Sequence, residues 1–525
     1  MVERTGAMAV AEALAELGVR RMYGVSGNQV LALIDAADRV GIELVHMRHE
    51  TAALYAAASA AATTGTIAVA LTSAGPGFLA AMQGAAGAAT VEAPVLYLAG
   101  ASPVAQRGHG AFQEVDQARI AGAVCKGSFE IGRAEDARRI TIEAARLARA
   151  GVPGPAHVAM PNDVLTARIT GEEAALATAD VTAMQPEQRA ALLAIAKRLS
   201  RARRPAIVAR PAATRGEAGT LLAEIAGRLG IAPIIADAPR GLGDPRYAEL
   251  AANLPEADAT LLVGAYDYLV RGALGTGGEF CVIDAPGEPK APGAVCQLQI
   301  PPAEALAFLA EHVTESLDRE PGWATRWTVS PPPPTPPEDD DLLHPLAVGW
   351  AIREAIRPDD VVVFDGGEYG QWVRLALRDL PNPMMTTAKI GGIGSGIPMA
   401  IGVQRELPAA RVIAIVGDGS AGYHLSEMET AARLGLPIVV VVGNDARWGA
   451  EWHLQRDRYG AGREIATELA DARYDIAAAG FGAAGYDIHY LGDLQSALAR
   501  ALRTELPVLI NVHIRPERSP VTIQH

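Results

Sequence analysis

Short, unbroken apolar runs recur along the chain, each separated from the next by enough residues for a helix. In the first third they are RMYGV (21–25), TIAVALT (66–72), APVLYLAG (93–100) and PAHVAM (155–160). PAIVAR (205–210), ATLLVGA (259–265) and FCVIDA (280–285) follow, then DVVVFDG (360–366), RVIAIVGDG (411–419), LPIVVVVGND (436–445) and PVLINVHI (507–514). A run without polar alternation suits a strand buried on both faces, and strands alternating with helical patterns are the signature of parallel βα units. The expected fold class is α/β, with three consecutive doubly wound, mainly parallel-sheet domains. Residues 1–175 form the first, 185–315 a shortened central domain, and 343–525 the third. Residues 316–342 read as a proline-rich, acidic linker. In SPPPPTPPEDDD (330–341) the prolines lack amide donors and favour extended polyproline II, while the acids stay solvated.

Charge narrows the partners. With 46 Lys+Arg against 60 Asp+Glu the formal charge is −14, and no long basic run occurs. That argues against nucleic acid or an anionic membrane surface. The alanine-rich stretches fall short of the ~20 residues of a membrane span. Cys125, Cys281 and Cys296 lack metal-ligand spacing and fit a reducing compartment. The start, MVERTGAMAVAEALAELGV, reads as an amphipathic helix and not as a signal peptide, since it carries acids and no unbroken apolar core. The expectation is a cytoplasmic protein with small-molecule ligands.

The sharpest local feature is Gly417-Asp418-Gly419-Ser420 at the end of the apolar run 411–416. Residues 422–435 have helical composition, a second apolar run covers 437–442, and Gly443-Asn444-Asp445 closes it. Asp418 and Asp445 are 27 residues apart. A helix of ~13 residues travels ~20 Å and a six-residue strand returns ~20 Å, which puts both loops on one sheet edge if the strands are neighbours. Ligands bind at that edge in open α/β sheets. Glycines let the backbone approach phosphate oxygens, the helix N-terminus favours an anion, and two oxygen-bearing side chains suit Mg²⁺. Alone, GDGS is also an ordinary strand-to-helix turn.

GDGS followed by about 26 residues and an Asn pair resembles the fingerprint of thiamine diphosphate-dependent enzymes of the acetolactate synthase, benzaldehyde lyase and pyruvate decarboxylase type. Here the second Asn is replaced, giving Asn444-Asp445. The resemblance implies that Gly417, Asp418, Gly419, Ser420 and Asp445 bind the diphosphate and its Mg²⁺. Asp418, Asp445 and the Arg447 carbonyl would be the metal ligands. It extends over nearly the whole chain, through SAGPG (73–77), GHGAFQEVD (108–116), GPAHVAMPNDV (154–164) and KIGGIGSGIP (389–398). DGGEYGQW (365–372) matches only loosely.

In the resembled family the catalytic glutamate ends the strand that VHMRHE (45–50) represents, which makes Glu50 the candidate. Its carboxyl group would hydrogen-bond N1′ of the cofactor's aminopyrimidine. An unplaced Glu at that point is otherwise a charge at the positive end of a helix dipole. The resemblance puts the wedge between the cofactor rings at Ile393 and the carbonyl for the 4′-amino group at Gly391. The same GGIGSG lacks the G-x-G-x-x-G spacing of a dinucleotide loop. Gln113 corresponds to a loop glutamine near the reaction centre, and Asn28 falls where related decarboxylases carry an aspartate. Gln29, Phe112, Trp448, Ala450 and Glu451 are candidates for the substrate pocket, although Trp448 is equally a packing aromatic.

The activity implied is a carboligase or lyase acting on 2-oxo acids or acyloins through a C2 ylid and enamine. The alternatives are a 2-oxo acid decarboxylase, a 2-hydroxyacyl-CoA lyase, or a degenerate non-catalytic paralogue. The stretch between 233–244 and 258–265 is shorter than in the synthases that hold a structural FAD, which implies that FAD is absent. Glu50 and Asp418 lie in different domains, and in the family such a site is shared between subunits, so a homodimer or homotetramer is expected.

Overall fold

The computed structural model describes residues 4–176, 184–237, 241–265, 268–275, 278–315, 318–328, 331–338 and 341–520. The junction 177–183 between the first two blocks, and Ser330, Asp339 and Asp340 of the proline-rich segment, lie outside the described residues.

Three sheets form, and all their strand pairings are parallel. The first contains β1 (Arg21–Gly24), β2 (Glu43–His46), β3 (Ala68–Thr72), β4 (Val95–Ala101), β5 (Ser128–Glu130) and β6 (Ala156–Pro161), in the order β2-β1-β3-β4-β6-β5. The second contains β7 (Pro205–Ala209), β8 (Ile234–Ile235), β9 (Ala259–Val263), β10 (Glu279–Asp284) and β11 (Cys296–Gln299), in the order β11-β10-β9-β7-β8. The third contains β12 (Val361–Phe364), β13 (Met384–Met385), β14 (Val412–Gly417), β15 (Val439–Asn444), β16 (Ala484–Ile488) and β17 (Val508–His513), in the order β13-β12-β14-β15-β17-β16. The first and third sheets are therefore wound identically. In each, the chain reverses its direction of travel beside the first strand, so a crevice opens at the carboxyl ends of β1 and β3, and again of β12 and β14.

By internal contacts the chain forms two compact units. One joins residues 1–178, 359–367 and 382–516, and holds the first and third sheets. Its centre is the helix Glu50–Thr64, in which Thr51 through Ala62 are all buried. A helix apolar all round has to be covered all round, and its alanines let the neighbouring helices come close. A Cβ on Gly402, in the helix Gly396–Glu406, would stand 2.2 Å from the Ala56 carbonyl oxygen. One on Gly84, in the helix Met82–Thr90, would stand 2.5 Å from Leu54 Cβ. The Ser59 hydroxyl donates to the Met399 carbonyl at 2.9 Å. These Gly/Ala-rich helices thus pack against a helix of their own chain.

The other unit joins 179–358, 368–381 and 517–525, and holds the second sheet. Trp323 and Trp327 belong to its core at 1 % exposure each, and Trp323 Nε1 donates to the Pro205 carbonyl at 2.9 Å. Both lie inside the stretch read from the sequence as linker. The proline and acid that marked it begin downstream of two tryptophans that the core takes up, and residues 331–338 carry no helix or strand. The helices Pro345–Ala355 and Tyr369–Ala376, read as part of the third block, also belong to this unit. They meet where a Cβ on Gly349 would be 2.7 Å from Ala376 Cβ, and the buried Arg374 donates to Asp244 at 3.0 Å. No helix among the described residues is long and apolar enough to cross a membrane.

Candidate active site

The third sheet's crevice is built first by β14. Gly417 is extended (φ −73°, ψ 155°) and caps the helix Asp418–His424, which starts on the aspartate itself. A second short helix, Glu427–Arg433, follows in place of the single helix expected over 422–435. The early start leaves the first-turn amides without intrahelical partners at the sheet's carboxyl edge. Asp418 is 3 % exposed, and its Oδ2 accepts the Arg447 N–H at 3.2 Å. That bond closes the two loops onto each other, as the spacing predicts for neighbouring strands, and β14 and β15 are paired.

The second loop is held by Asn444, whose Oδ1 accepts the Ala446 N–H at 3.1 Å while its Nδ2 donates to Asn511 at 3.2 Å. Ala446 takes a left-handed φ of 54°, which turns the chain sharply enough for Arg447 to bridge Glu468. Trp448 then lies across Gly419, where a Cβ would stand 2.5 Å from its ring. Burial and the neighbouring Asp445 charge raise the Asp418 carboxyl to about 7. Two acidic side chains whose charges interact at a partly desolvated edge could hold a divalent cation, and oxygen donors suit Mg²⁺.

Asp365, at the end of β12, was not singled out from the sequence. Its Oδ1 accepts N–H groups from Gly366 (2.7 Å) and Gly394 (3.0 Å), and its Oδ2 accepts from Gly396 (2.8 Å). Burial raises it to about 6 against these three bonds. It fixes the loop that carries Gly391, which has φ 59°, and Ile393, whose Cγ2 would be 2.9 Å from a Cβ on Gly366. An aspartate at the carboxyl end of an apolar run and before two glycines was the available signal.

The first sheet's crevice holds the other candidates. Asn28 begins a 3₁₀ turn after β1 and is exposed, whereas Gln29 is buried. Gln29 Nε2 donates to Gln113 Oε1 at 2.8 Å, and the Ser73 hydroxyl donates to Gln29 Oε1 at 2.5 Å. Gln113 takes a left-handed φ of 59° and lies on Gly75, where a Cβ would be 2.7 Å from its own. Glu50 opens the buried helix, with His49 as its cap accepting from Thr51 N–H at 3.1 Å. Its Oε1 would be 3.2 Å from a Cβ on Gly77. SAGPG (73–77) is therefore the common floor of Gln29, Gln113 and Glu50. Ser73 is the residue missed there, since its role depends on a glutamine 44 positions away.

Phe112 is 75 % exposed. Ala450 and Glu451 lie in the first turn of the helix Gly449–Tyr459. Trp452 is flanked by the guanidinium groups of Arg447 and Arg456, at 5.2 and 4.9 Å from its ring centre. Asp487, His489 and His513 also cluster at the third sheet's edge. Asp487 already accepts from Asn511 at 2.8 Å and pairs with His513 at 2.9 Å, and the two imidazoles are stacked at 4.0 Å. Stacked rings share no in-plane direction for a metal.

The two crevices match two family models. The thiamine pyrophosphate enzyme N-terminal TPP binding domain matches residues 4–120, and the C-terminal TPP binding domain matches residues 365–512, together half of the chain. The chain belongs to the thiamine pyrophosphate enzyme family. It is 28 % identical over 538 residues to a probable acetolactate synthase of Mycobacterium bovis, covering 97 % of this chain and 95 % of that protein. It is 27 % identical over 543 residues to the 2-hydroxyacyl-CoA lyase 2 of Homo sapiens, covering 92 % and 85 %. Among solved structures it is similar to a Rhodococcus jostii thiamine diphosphate-dependent 4-hydroxybenzoylformate decarboxylase, at TM-score 0.84 and 23 % identity, covering 98 % of this chain and all of that one. That likeness bears on the fold. As a member of the thiamine pyrophosphate enzyme family, the chain carries its two cofactor-binding domains on the identically wound first and third sheets.

Proposed function

We propose that the protein is a thiamine diphosphate- and Mg²⁺-dependent carboligase or lyase acting on 2-oxo acids or acyloins, in the manner of an acetolactate synthase. The observation that carries the reading is the closed pair of loops at the third sheet's edge. There the Asp445 charge acts on the buried Asp418 carboxyl, and the Asp418 side chain holds the Arg447 backbone at 3.2 Å. In this reading Asp418, Asp445 and the Arg447 carbonyl would hold Mg²⁺, and Gly417, Gly419 and Ser420 would bind the diphosphate. When bound, thiamine diphosphate supplies a carbon centre that stabilises negative charge beside a carbonyl. Glu50 would hold a proton for the cofactor's aminopyrimidine end, the Gly391 carbonyl would accept from its amino group, and Ile393 would pack against it. Gln113, oriented by Gln29 and Ser73, and Asn28 present amide groups to the substrate's oxygens. Ala450 leaves room for it beside Trp448 and Glu451, and Phe112 covers it. FAD has no part in the proposal.

The proposed assembly is a cytoplasmic homodimer or homotetramer, with Glu50 of one chain completing the site of another. The relatives' names are those of a synthase, a lyase and a decarboxylase, so the test is a product survey. Purified protein with thiamine diphosphate and Mg²⁺ is offered pyruvate, longer 2-oxo acids, benzaldehyde and benzoin, and the products are read by mass spectrometry. Carboligation or acyloin cleavage is expected, and free aldehyde alone would point to simple decarboxylation. Thermal stabilisation by the cofactor without any turnover would point to a degenerate paralogue. Mixing Glu50→Gln with Asp418→Ala chains, under conditions where native mass spectrometry shows subunit exchange, should restore activity. Verified exchange without restoration refutes the shared site.

A further inference from the structure

Because the first and third sheets are wound alike, each element of one has a counterpart in the other. The helix Met82–Thr90 lies between β3 and β4, and the helix Glu427–Arg433 lies between β14 and β15. Each reaches across to the residues that precede the buried helix of the opposite half. Gln83 Nε2 donates to the Ile393 carbonyl at 3.4 Å, ahead of the helix Gly396–Glu406. Glu427 does the corresponding job ahead of the helix Glu50–Thr64. Its Oε1 accepts the N–H groups of Arg48 and His49, both at 3.0 Å. Its Oε2 accepts the Thr430 hydroxyl at 2.6 Å.

The grip is wider than one side chain. Glu429 pairs with the Arg48 guanidinium at 3.3 Å, and Arg433 donates to the His46 carbonyl at 2.7 Å. Three residues upstream of Glu427, at the end of the helix Asp418–His424, His424 Nδ1 meets the Gly394 carbonyl at 2.5 Å and the His49 ring edge-on at 5.1 Å. Glu427 itself is fully buried. Burial pushes its carboxyl up, and the bonds from Thr430 and the two amides oppose that shift. Desolvating a carboxylate is costly, so a packing role alone is better served by an apolar side chain. The cost makes sense if the backbone that Glu427 holds has to be fixed.

We propose that Glu427 is a positioning residue for Glu50: by fixing the amides of Arg48 and His49 it sets where the Glu50 carboxyl group stands. The proposal rests on the reading of Glu50 as the group that acts on the cofactor. It also makes the geometry of Glu50 depend on the chain segment that begins with Asp418, so the two crevices of one chain are mechanically joined.

The test uses the full-length holoenzyme with saturating thiamine diphosphate and Mg²⁺. Hydrogen–deuterium exchange at the cofactor's C2 is read by NMR, and cofactor affinity by calorimetry. Glu427→Ala should slow exchange by about tenfold or more, since ångström-scale misplacement costs up to ~10²-fold, with cofactor affinity little changed. Glu427→Gln keeps an acceptor oxygen and should retain most of the rate. Added to Glu50→Gln, Glu427→Ala should cost little more, because residues acting as a unit are not additive. If Glu427→Ala does not fold, Thr430→Val, which removes only the bond that orients Oε2, should slow exchange a few-fold. Wild-type exchange in a folded Glu427→Ala protein, or in Thr430→Val where Glu427→Ala is lost, overturns the proposal. So does full additivity with Glu50→Gln. Wild-type exchange in Glu50→Gln alone overturns the reading of Glu50, and the positioning role with it.

Discussion

Replacing Asp418 by Asn removes one charge from the acid pair and leaves an oxygen to accept the Arg447 N–H. In the metal-free protein the Asp418 carboxyl sits at about 7 instead of 3.8, driven by burial and then by Asp445, a shift that corresponds to roughly 4 kcal/mol at ~1.36 kcal/mol per unit. The folded-state value is raised, so the folded protein holds this proton longer than the unfolded chain does. Stability is undiminished below about pH 4, falls as pH rises towards 7, and reaches its full penalty above 7. In Asp418→Asn that part of the slope is gone. The assay is thermal unfolding in EDTA from pH 4.5 to 8, for wild type and variant. The difference between them should grow in the variant's favour as pH rises. At ~2–4 °C per kcal/mol for a domain of 150–250 residues, and less for a larger unit, several degrees are expected. Adding Mg²⁺ with thiamine diphosphate at pH 8 should restore the wild type and leave the variant unmoved. Parallel curves in EDTA would refute the argument, since they mean that burial and Asp445 do not raise the Asp418 carboxyl in the folded protein.

Gly77→Ala brings a Cβ to 3.2 Å from Glu50 Oε1 and should lower kcat by about tenfold with little change in Tm; an unchanged kcat refutes the contact's importance. Gly402→Ala drives a Cβ to 2.2 Å from the Ala56 carbonyl oxygen, so thermal unfolding should reveal a loss of about 1–3 kcal/mol from overpacking. Trp323→Ala empties a site of 1 % exposure in the second unit's core and should cost about 3–5 kcal/mol, with hydrogen exchange rising first around β7. If Trp323→Ala leaves exchange at β7 unchanged, the segment behaves as a linker after all.

The sequence alone determined the strands buried on both faces, because only an unbroken apolar run survives there. TIAVALT, APVLYLAG, RVIAIVGDG and LPIVVVVGND became β3, β4, β14 and β15, and the last two also carried the loop spacing that the Asp418–Arg447 bond closes. The strands that composition did not announce stand at sheet edges: β2, β5, β8, β11, β13 and β16. They are short or half exposed, as in SFE and CQLQ, and half-buried residues need no apolar run. Tertiary structure decided what depends on partners distant in sequence. It duplicated one winding order in two halves that share no visible repeat, because topology is set by packing and not by residue identity. It took Trp323 and Trp327 out of an apparent linker, because a buried indole outweighs the composition around it. It also gave Ser73, Asp365 and Glu427 their work, since each acts through a hydrogen bond whose partner lies 29 to 379 positions away. Local pattern registers the periodicity of neighbours along the chain, whereas a carboxylate aimed at a remote amide leaves no mark until the fold brings the two together.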